Sequence, residues 1–246
     1  MENKLEFDNK KRYHYVLLGF AKFEDILKIM TENLKFYRIA NMGPLHEKEI
    51  FYDVPGNMLS DSGIVISKQY ENGKIRLKVR KISRLQGELK KPSKKFELGV
   101  LGKNEEPKDF SLQISSAIES AFNTKFTVDI DAFVRMTEPK IEVLVDANQY
   151  QIICGTGYRA TMIFENATYR DIATNKKVSR LGVTLQLPSA EYEESRELLD
   201  LIDKQISSLA RINLSRFEIA EQLLYSEPLD LEELEEQMNE DGEQEQ

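Results

Sequence analysis

The sequence predicts an α+β fold, mainly antiparallel, with helices after blocks of strands rather than between single ones. Three observations carry this. Runs rich in aromatic and β-branched residues recur between turn residues, as in Arg12–Phe20 and Ile64–Glu71. Amphipathic stretches with helical spacing stand apart from them at 22–36, 190–210 and 215–225. Asn72-Gly73 joins two alternating runs as a two-residue hairpin turn.

The elements follow in order. Residues 12–20, RYHYVLLGF, read as a first strand, and 22–36 as a helix with Phe23, Ile26, Leu27, Met30 and Leu34 on one stripe. A strand over 48–54 ends in a turn at Pro55-Gly56-Asn57, and the hairpin comes next. The segment 90–109 mixes Pro, Gly and charge around one short strand at 95–100. Residues 111–123 form a helix. Strands are expected at 126–136, 140–146, 149–154, 158–165 and 181–187, with an extra hairpin between 135 and 160. The helix over 190–210 turns Leu198, Leu201, Ile202, Ile206 and Leu209 inward, and the one over 215–225 starts at a capping Ser215.

The hairpin is legible in more detail. A type I′ turn at Asn72-Gly73 sets Glu71 opposite Lys74, Gln69 opposite Arg76, Ser67 opposite Lys78 and Val65 opposite Arg80. With a side-chain period of two, Ile66, Tyr70, Ile75, Leu77 and Val79 share a core face. Ser67, Gln69, Glu71, Lys74, Arg76, Lys78 and Arg80 share the other, expected to be wet and cationic. Alternate cations on one face repel, and such a row is tolerated most easily beside anions, from the protein or from a ligand.

The chain's net charge of −8 hides this basic character. Residues 226–246 hold ten Asp or Glu and no Lys or Arg, so the remaining body carries about +2. The organisation expected is a single domain over 1–225 and an acidic tail over 226–246, disordered or a short helix able to dock on a basic surface. No apolar run is long enough to span a membrane, no signal-peptide layout opens the chain, and Cys154 stands alone, so a cytoplasmic location is expected. His14 and His46 are too isolated for a zinc site or triad, and Walker, serine-elbow and CxxC motifs are missing. A body charge of about +2 argues against nucleic acid as a partner.

The run EIFYDVPGNMLSDSGIVISKQYENGKIRLKVRK resembles a diverged signature of the CYTH family, the triphosphate tunnel metalloenzymes. Phe51-Tyr52-Asp53-Val54 is similar to the family's Tyr-Phe-Asp-Thr, and Leu59 stands six residues after Asp53. Ile64–Ile66 matches the start of its arginine strand, and Arg80 falls on its final lysine. Farther on, LGVTLQLPSAEYEESRELLDLI resembles the glutamate-rich strand and its following helix. Ser215-Arg216-Phe217-Glu218 resembles a Ser-Lys-Tyr-Glu pattern. The resemblance implies an antiparallel β-barrel or tunnel with flanking helices, whose inner wall holds a triphosphate with Arg and Lys and places divalent metal with Glu. Positions 67, 69, 78 and 80 would face that tunnel, the face the turn assigns independently. Asp53 is read as a structural turn residue.

The departures direct the functional reading. The strand within 11–20 lacks the family's Glu-x-Glu-x-Lys, the two strand arginines fall on Ser67 and Gln69, and the late acids fall on Gly182, Thr184 and Gln186. Hard divalent cations need oxygen ligands, usually with carboxylates among them. The expectation is therefore a catalytically degenerate protein with no catalytic or metal residues and no cofactor. It would bind an anionic small molecule, a nucleotide or polyphosphate, or a protein partner through Lys74, Arg76, Lys78, Arg80, Arg159 and Arg216. Glu138, Glu142, Asp146 and Glu165 are expected as salt-bridge partners, Glu142 and Asp146 on one face. Two alternatives stand beside it. One is a Mg- or Mn-dependent triphosphatase or nucleotide cyclase with relocated ligands; the other is an assembly subunit that uses the barrel exterior.

Overall fold

The computed structural model describes residues 11–71, 73–81, 95–100, 102, 104–122, 129–188, 192–212 and 214–225. The expected tail over 226–246 lies outside them. Its strands are β1 (Lys11–Leu17), β2 (Tyr37–Asp53), β3 (Ile64–Glu71), β4 (Lys74–Lys81), β5 (Lys95–Val100), β6 (Glu138–Cys154), β7 (Arg159–Asp171), β8 (Lys177–Leu187) and β9 (Leu209–Ile212). Its helices are α1 (Phe23–Asn33), α2 (Met58–Asp61), α3 (Ser111–Phe122), α4 (Ile130–Arg135), α5 (Glu193–Gln205) and α6 (Arg216–Tyr225). None is long and apolar enough to cross a membrane.

The strands form one nine-stranded sheet in the order β5-β4-β3-β2-β6-β7-β8-β1-β9. Every neighbouring pair is antiparallel. β2 and β6, 17 residues each, form its backbone. Their pairing shifts at Asn41/Gly43 and again at Phe51/Tyr52. Gly43 has φ +92°, a conformation that suits glycine at a bulge, and such irregularities bend a long strand. The sheet curls: Arg12 on β1 and Arg80 on β4, far apart in strand order, lie close enough to influence each other's charge. This is the expected antiparallel tunnel with flanking helices.

Strand parity divides the side chains between three cores. Inside the curl, Phe51, Val65, Ile141, Val143, Val145, Ile163 and Ala167 pack against Phe217, Ile219, Ala220 and Leu224 of α6. α6 therefore fills part of the tunnel. Ser215 opens it with a capping box: its backbone N–H donates to Glu218 Oε2 at 2.8 Å and its hydroxyl accepts from Glu218 N at 3.3 Å. Outside, α1 and α5 cover one end of the sheet through Ile26, Met30, Leu198 and Ile202, packed on Phe164, Val183 and Leu185. α3 and α4 cover the other end through Ile114, Ile118, Ile130 and Val134, packed on Ile66, Leu77 and Val79.

The hairpin pairs residue for residue as the turn dictates, from Glu71↔Lys74 to Val65↔Arg80. Four expectations are corrected. The strand expected over 126–136 gives way to α4, because Asp129 accepts the backbone N–H of Ala132 and caps a helical turn. The two strands expected over 140–146 and 149–154, with a hairpin nearby, are one strand, β6, since Ala147 and Asn148 stay paired on both sides. The strand expected over 48–54 starts at Tyr37. The helix expected over 190–210 ends at Gln205, and Leu209 belongs instead to β9, beside β1.

Candidate functional site: the charged tunnel wall

The cations of β4 run from rim to interior. Lys74 is exposed, Arg76 half-buried, Lys78 only 2% exposed, and the Arg80 side chain 13% exposed. The face expected to be wet is therefore mostly buried: Ser67 and Gln69 opposite are also enclosed. The sheet's curl decides this, not the hairpin.

What makes that burial tolerable is a set of acids. Glu49, 2% exposed, accepts from Ser67 Oγ at 2.6 Å and from Arg80 Nη2 at 2.8 Å. Its Oε2 lies 3.8 Å from Arg216 Nη1. Arg216, the first residue of α6, donates through Nη1 to Glu47 Oε2 and through Nη2 to Glu165 Oε2, each at 3.0 Å. Glu165 Oε1 accepts from Thr184 Oγ1 at 3.0 Å, and His14 Nδ1 lies 2.9 Å from the same hydroxyl. Thr184 has one proton and gives it to the carboxylate, so His14 Nδ1 is the donor.

The electrostatics follow. Burial alone would raise the Glu49 carboxyl, but Arg80, Lys78, Arg216 and the Ser67 hydrogen bond outweigh it and hold it at about 2. Burial would lower the Arg216 guanidinium, yet Glu165, Glu47 and Glu49 raise it. His14 has no facing carboxylate strong enough to compensate. Burial first, then Arg216, Arg12 and Arg80, bring it down to about 3, so it is neutral.

Of the six cations expected to form the site, Arg80 and Arg216 meet at Glu49, and Lys78 adds its charge to the same carboxylate. Lys74 and Arg76 continue the row outward. Arg159 stands apart from this group: it is exposed, six residues from Glu165 along β7, about 20 Å away at strand spacing. The expected acids also divide. Glu165 joins the tunnel, whereas Glu142 pairs with Lys48 at 2.5 Å and Arg170 at 2.6 Å on the outer face. Asp146 pairs there with His46 at 2.7 Å, on the face it shares with Glu142. Glu138 is exposed at the start of β6. Asp53 is structural, as expected: its carboxylate accepts the backbone N–H groups of Val54, Leu59 and Ser60.

Sequence reasoning missed Glu47 and Glu49. The signal was present in the alternation Leu45-x-Glu47-x-Glu49-x-Phe51, which a strand begun at residue 48 cuts short. The tunnel wall thus carries acids, on β2 and β7 instead of on the strands where they were sought. β8 has no room for one at 182: a Cβ there would lie 2.8 Å from the Tyr15 carbonyl oxygen.

A divalent cation does not fit the acids as they stand. Glu47, Glu49 and Glu165 each face a guanidinium of Arg216. Among the described residues no group of three His, Cys, Asp or Glu is placed to hold a metal ion.

No protein-family model matches the sequence, and no curated protein matches it. Solved structures do match. A candidate adenylyl cyclase from Hippeastrum, described as having a dominant triphosphatase activity, superposes with a TM-score of 0.51 at 10% identity, over 90% of this chain and 99% of that one. A candidate adenylate cyclase from Bacillus halodurans gives 0.47 at 7% identity, over 90% and 99% of the two chains. The fold assignment rests on the first of these together with the curled nine-stranded sheet: this chain has the CYTH-like tunnel fold.

Proposed function

We propose that this protein is a binding module on the tunnel fold, taking an anionic ligand such as a nucleotide or polyphosphate along the β4 cations without cleaving it. One observation carries the reading: Arg216 engages Glu47, Glu49 and Glu165 together. Metal-dependent phosphoryl chemistry uses a cation held by such groups to neutralise charge on the attacking and leaving oxygens. Here an internal guanidinium takes that position. An entering anion would meet the cationic row first at exposed Lys74 and half-buried Arg76, and Arg80 lies deeper on the same wall.

Calorimetry with ATP and tripolyphosphate, with and without Mn²⁺, tests this alongside a phosphate-release assay. Binding independent of metal, weakened by Arg76→Ala and Lys74→Ala and accompanied by no phosphate release, is expected.

A second reading has its own support. Three glutamates do line the wall, so a cation and a triphosphate arriving together could replace Arg216 as their partner. This is the metal-dependent triphosphatase or cyclase, and Mn²⁺-dependent phosphate release or pyrophosphate formation would establish it in place of the first. Silence in every titration leaves the assembly-subunit reading.

A further inference from the structure

Past the apolar core that α6 covers, the inner wall turns polar without being charged. Parity along β6, β7 and β8 places Gln149, Gln151, Thr161 and Gln186 on the same inward face as Val145, Glu165 and Thr184. Cross-strand pairing sets three of them in one row, Gln186 opposite Thr161 and Thr161 opposite Gln151. Gln149 stands two residues along β6 from Gln151. At strand spacing the patch measures about 10 Å across the strands and about 7 Å along them. The core beneath α6 ends at Ala147 and Ile163, so the row lies beyond the plug.

All four side chains are half-buried. Their polar atoms are not sealed into the wall: none is among the enclosed groups left without a partner. No hydrogen bond or ion pair among the described residues engages them, so they keep their bonding capacity for the lumen. Arg12 of β1 continues the row opposite Gln186, and its charge acts on both His14 and Arg80. The uncharged patch therefore borders the cationic wall of β4.

The chemistry of the patch selects its occupant. Phosphate oxygens accept hydrogen bonds at neutral pH, so an inorganic polyphosphate calls for donors alone. Each glutamine brings a carbonyl acceptor together with its NH2, and Thr161 both donates and accepts. A group that matches them carries donors and acceptors and no charge. A nucleobase edge pairs with a glutamine amide in this two-point manner, and ribose hydroxyls match a threonine.

We propose that Gln149, Gln151, Thr161 and Gln186 hold the nucleoside of a nucleotide whose phosphates lie on the β4 cations. This rests on the anion-binding reading above and narrows it, from nucleotide or polyphosphate to nucleotide.

The full chain is titrated calorimetrically with ATP, GTP, CTP, UTP and tripolyphosphate, at constant ionic strength and without divalent metal. At least one nucleotide is expected to bind about tenfold or more tightly than tripolyphosphate, the gain of one or two neutral hydrogen bonds. Gln151→Met and Gln186→Met should each weaken that nucleotide about three- to tenfold and leave tripolyphosphate within about twofold. Arg76→Ala should weaken both ligands alike. Thr161→Val, which keeps the side-chain shape, carries the comparison where a methionine variant fails to fold. A tripolyphosphate affinity equal to or above that of every nucleotide overturns the nucleoside site and leaves the β4 reading standing. So does a nucleotide preference that survives all three wall substitutions. Absence of binding by all five ligands removes the β4 reading, and the nucleoside site with it.

Discussion

Arg216 at the start of α6 donates to Glu165 of β7 across 3.0 Å, both side chains at or below a tenth of their full exposure. The same guanidinium reaches Glu47 on β2, so a single side chain joins the plugging helix to two strands of the wall. Its removal would leave buried carboxylates without compensation. Arg216→Ala is expected to lower unfolding free energy by about 3–5 kcal/mol, read from urea denaturation. A loss below about 1 kcal/mol would mean that water reaches these acids and that the plug is loose.

Acid should destabilise the fold in two overlapping windows. His14 falls from an ordinary 6.5 to about 3 in the folded protein, so below 6.5 the unfolded chain binds a proton that the native one refuses. Glu49 falls from 4.5 to about 2, so its contribution is present above 4.5 and lost as pH drops toward 2. Both losses have the same sign. Thermal midpoints should decline from about pH 6.5 downward, and His14→Gln should remove the upper part of the decline while leaving the lower part. A midpoint flat to pH 4 in the wild type would contradict the neutral, enclosed imidazole.

Gly182 is set by contact. A Cβ at this position meets the Tyr15 carbonyl oxygen at 2.8 Å, and backbone cannot swing aside as a side chain can. Gly182→Ala is expected to cost about 1–3 kcal/mol through separation of β1 and β8. Amide exchange of the β1–β8 pairs, compared between the two proteins, should show the loss concentrated there.

Lys68 and Glu106 should respond unequally to mutation. Lys68 is 1% exposed and donates to Glu106 Oε1 at 3.0 Å and to the Glu105 carbonyl at 2.7 Å, whereas the Glu106 side chain keeps 39% exposure. Glu106→Ala removes the acid that compensates a buried ammonium and is expected to cost about 3 kcal/mol or more. Lys68→Met fills the same volume with apolar atoms and leaves an acid that water can reach, so its cost should be under about 1.5 kcal/mol. Denaturation midpoints of the two variants in that order support the asymmetry; the reverse order refutes it.

Much of the fold was legible because its signals are local. Asn72-Gly73 dictates a turn, the turn dictates the pairing, and alternation then separates Ile66, Leu77 and Val79 from Ser67, Lys78 and Arg80. The Ser215 box and the apolar stripe of α1 work in the same way. Where local signals conflict, the reading failed: Ile130–Arg135 has strand-like composition, yet the Asp129 cap makes it a helix. β6 contains Asp146, Ala147 and Asn148, which resemble a turn, but pairing with long neighbours on both sides keeps it one continuous strand.

The sequence by itself determined that β4 carries a cationic face, that Asp53 caps a turn and that α6 opens on a Ser-Arg pair. The tertiary structure alone decided what those charges meet. Glu47, Glu49, Glu165, Arg80 and Arg216 come from three strands and one helix start, with 169 residues between Glu47 and Arg216, and the curl of the sheet gathers them. Strand parity fixes which face a side chain takes, a matter of two neighbouring residues. Whether that face looks onto water or onto an opposing wall depends on closure of the whole sheet, which no stretch of neighbouring residues encodes.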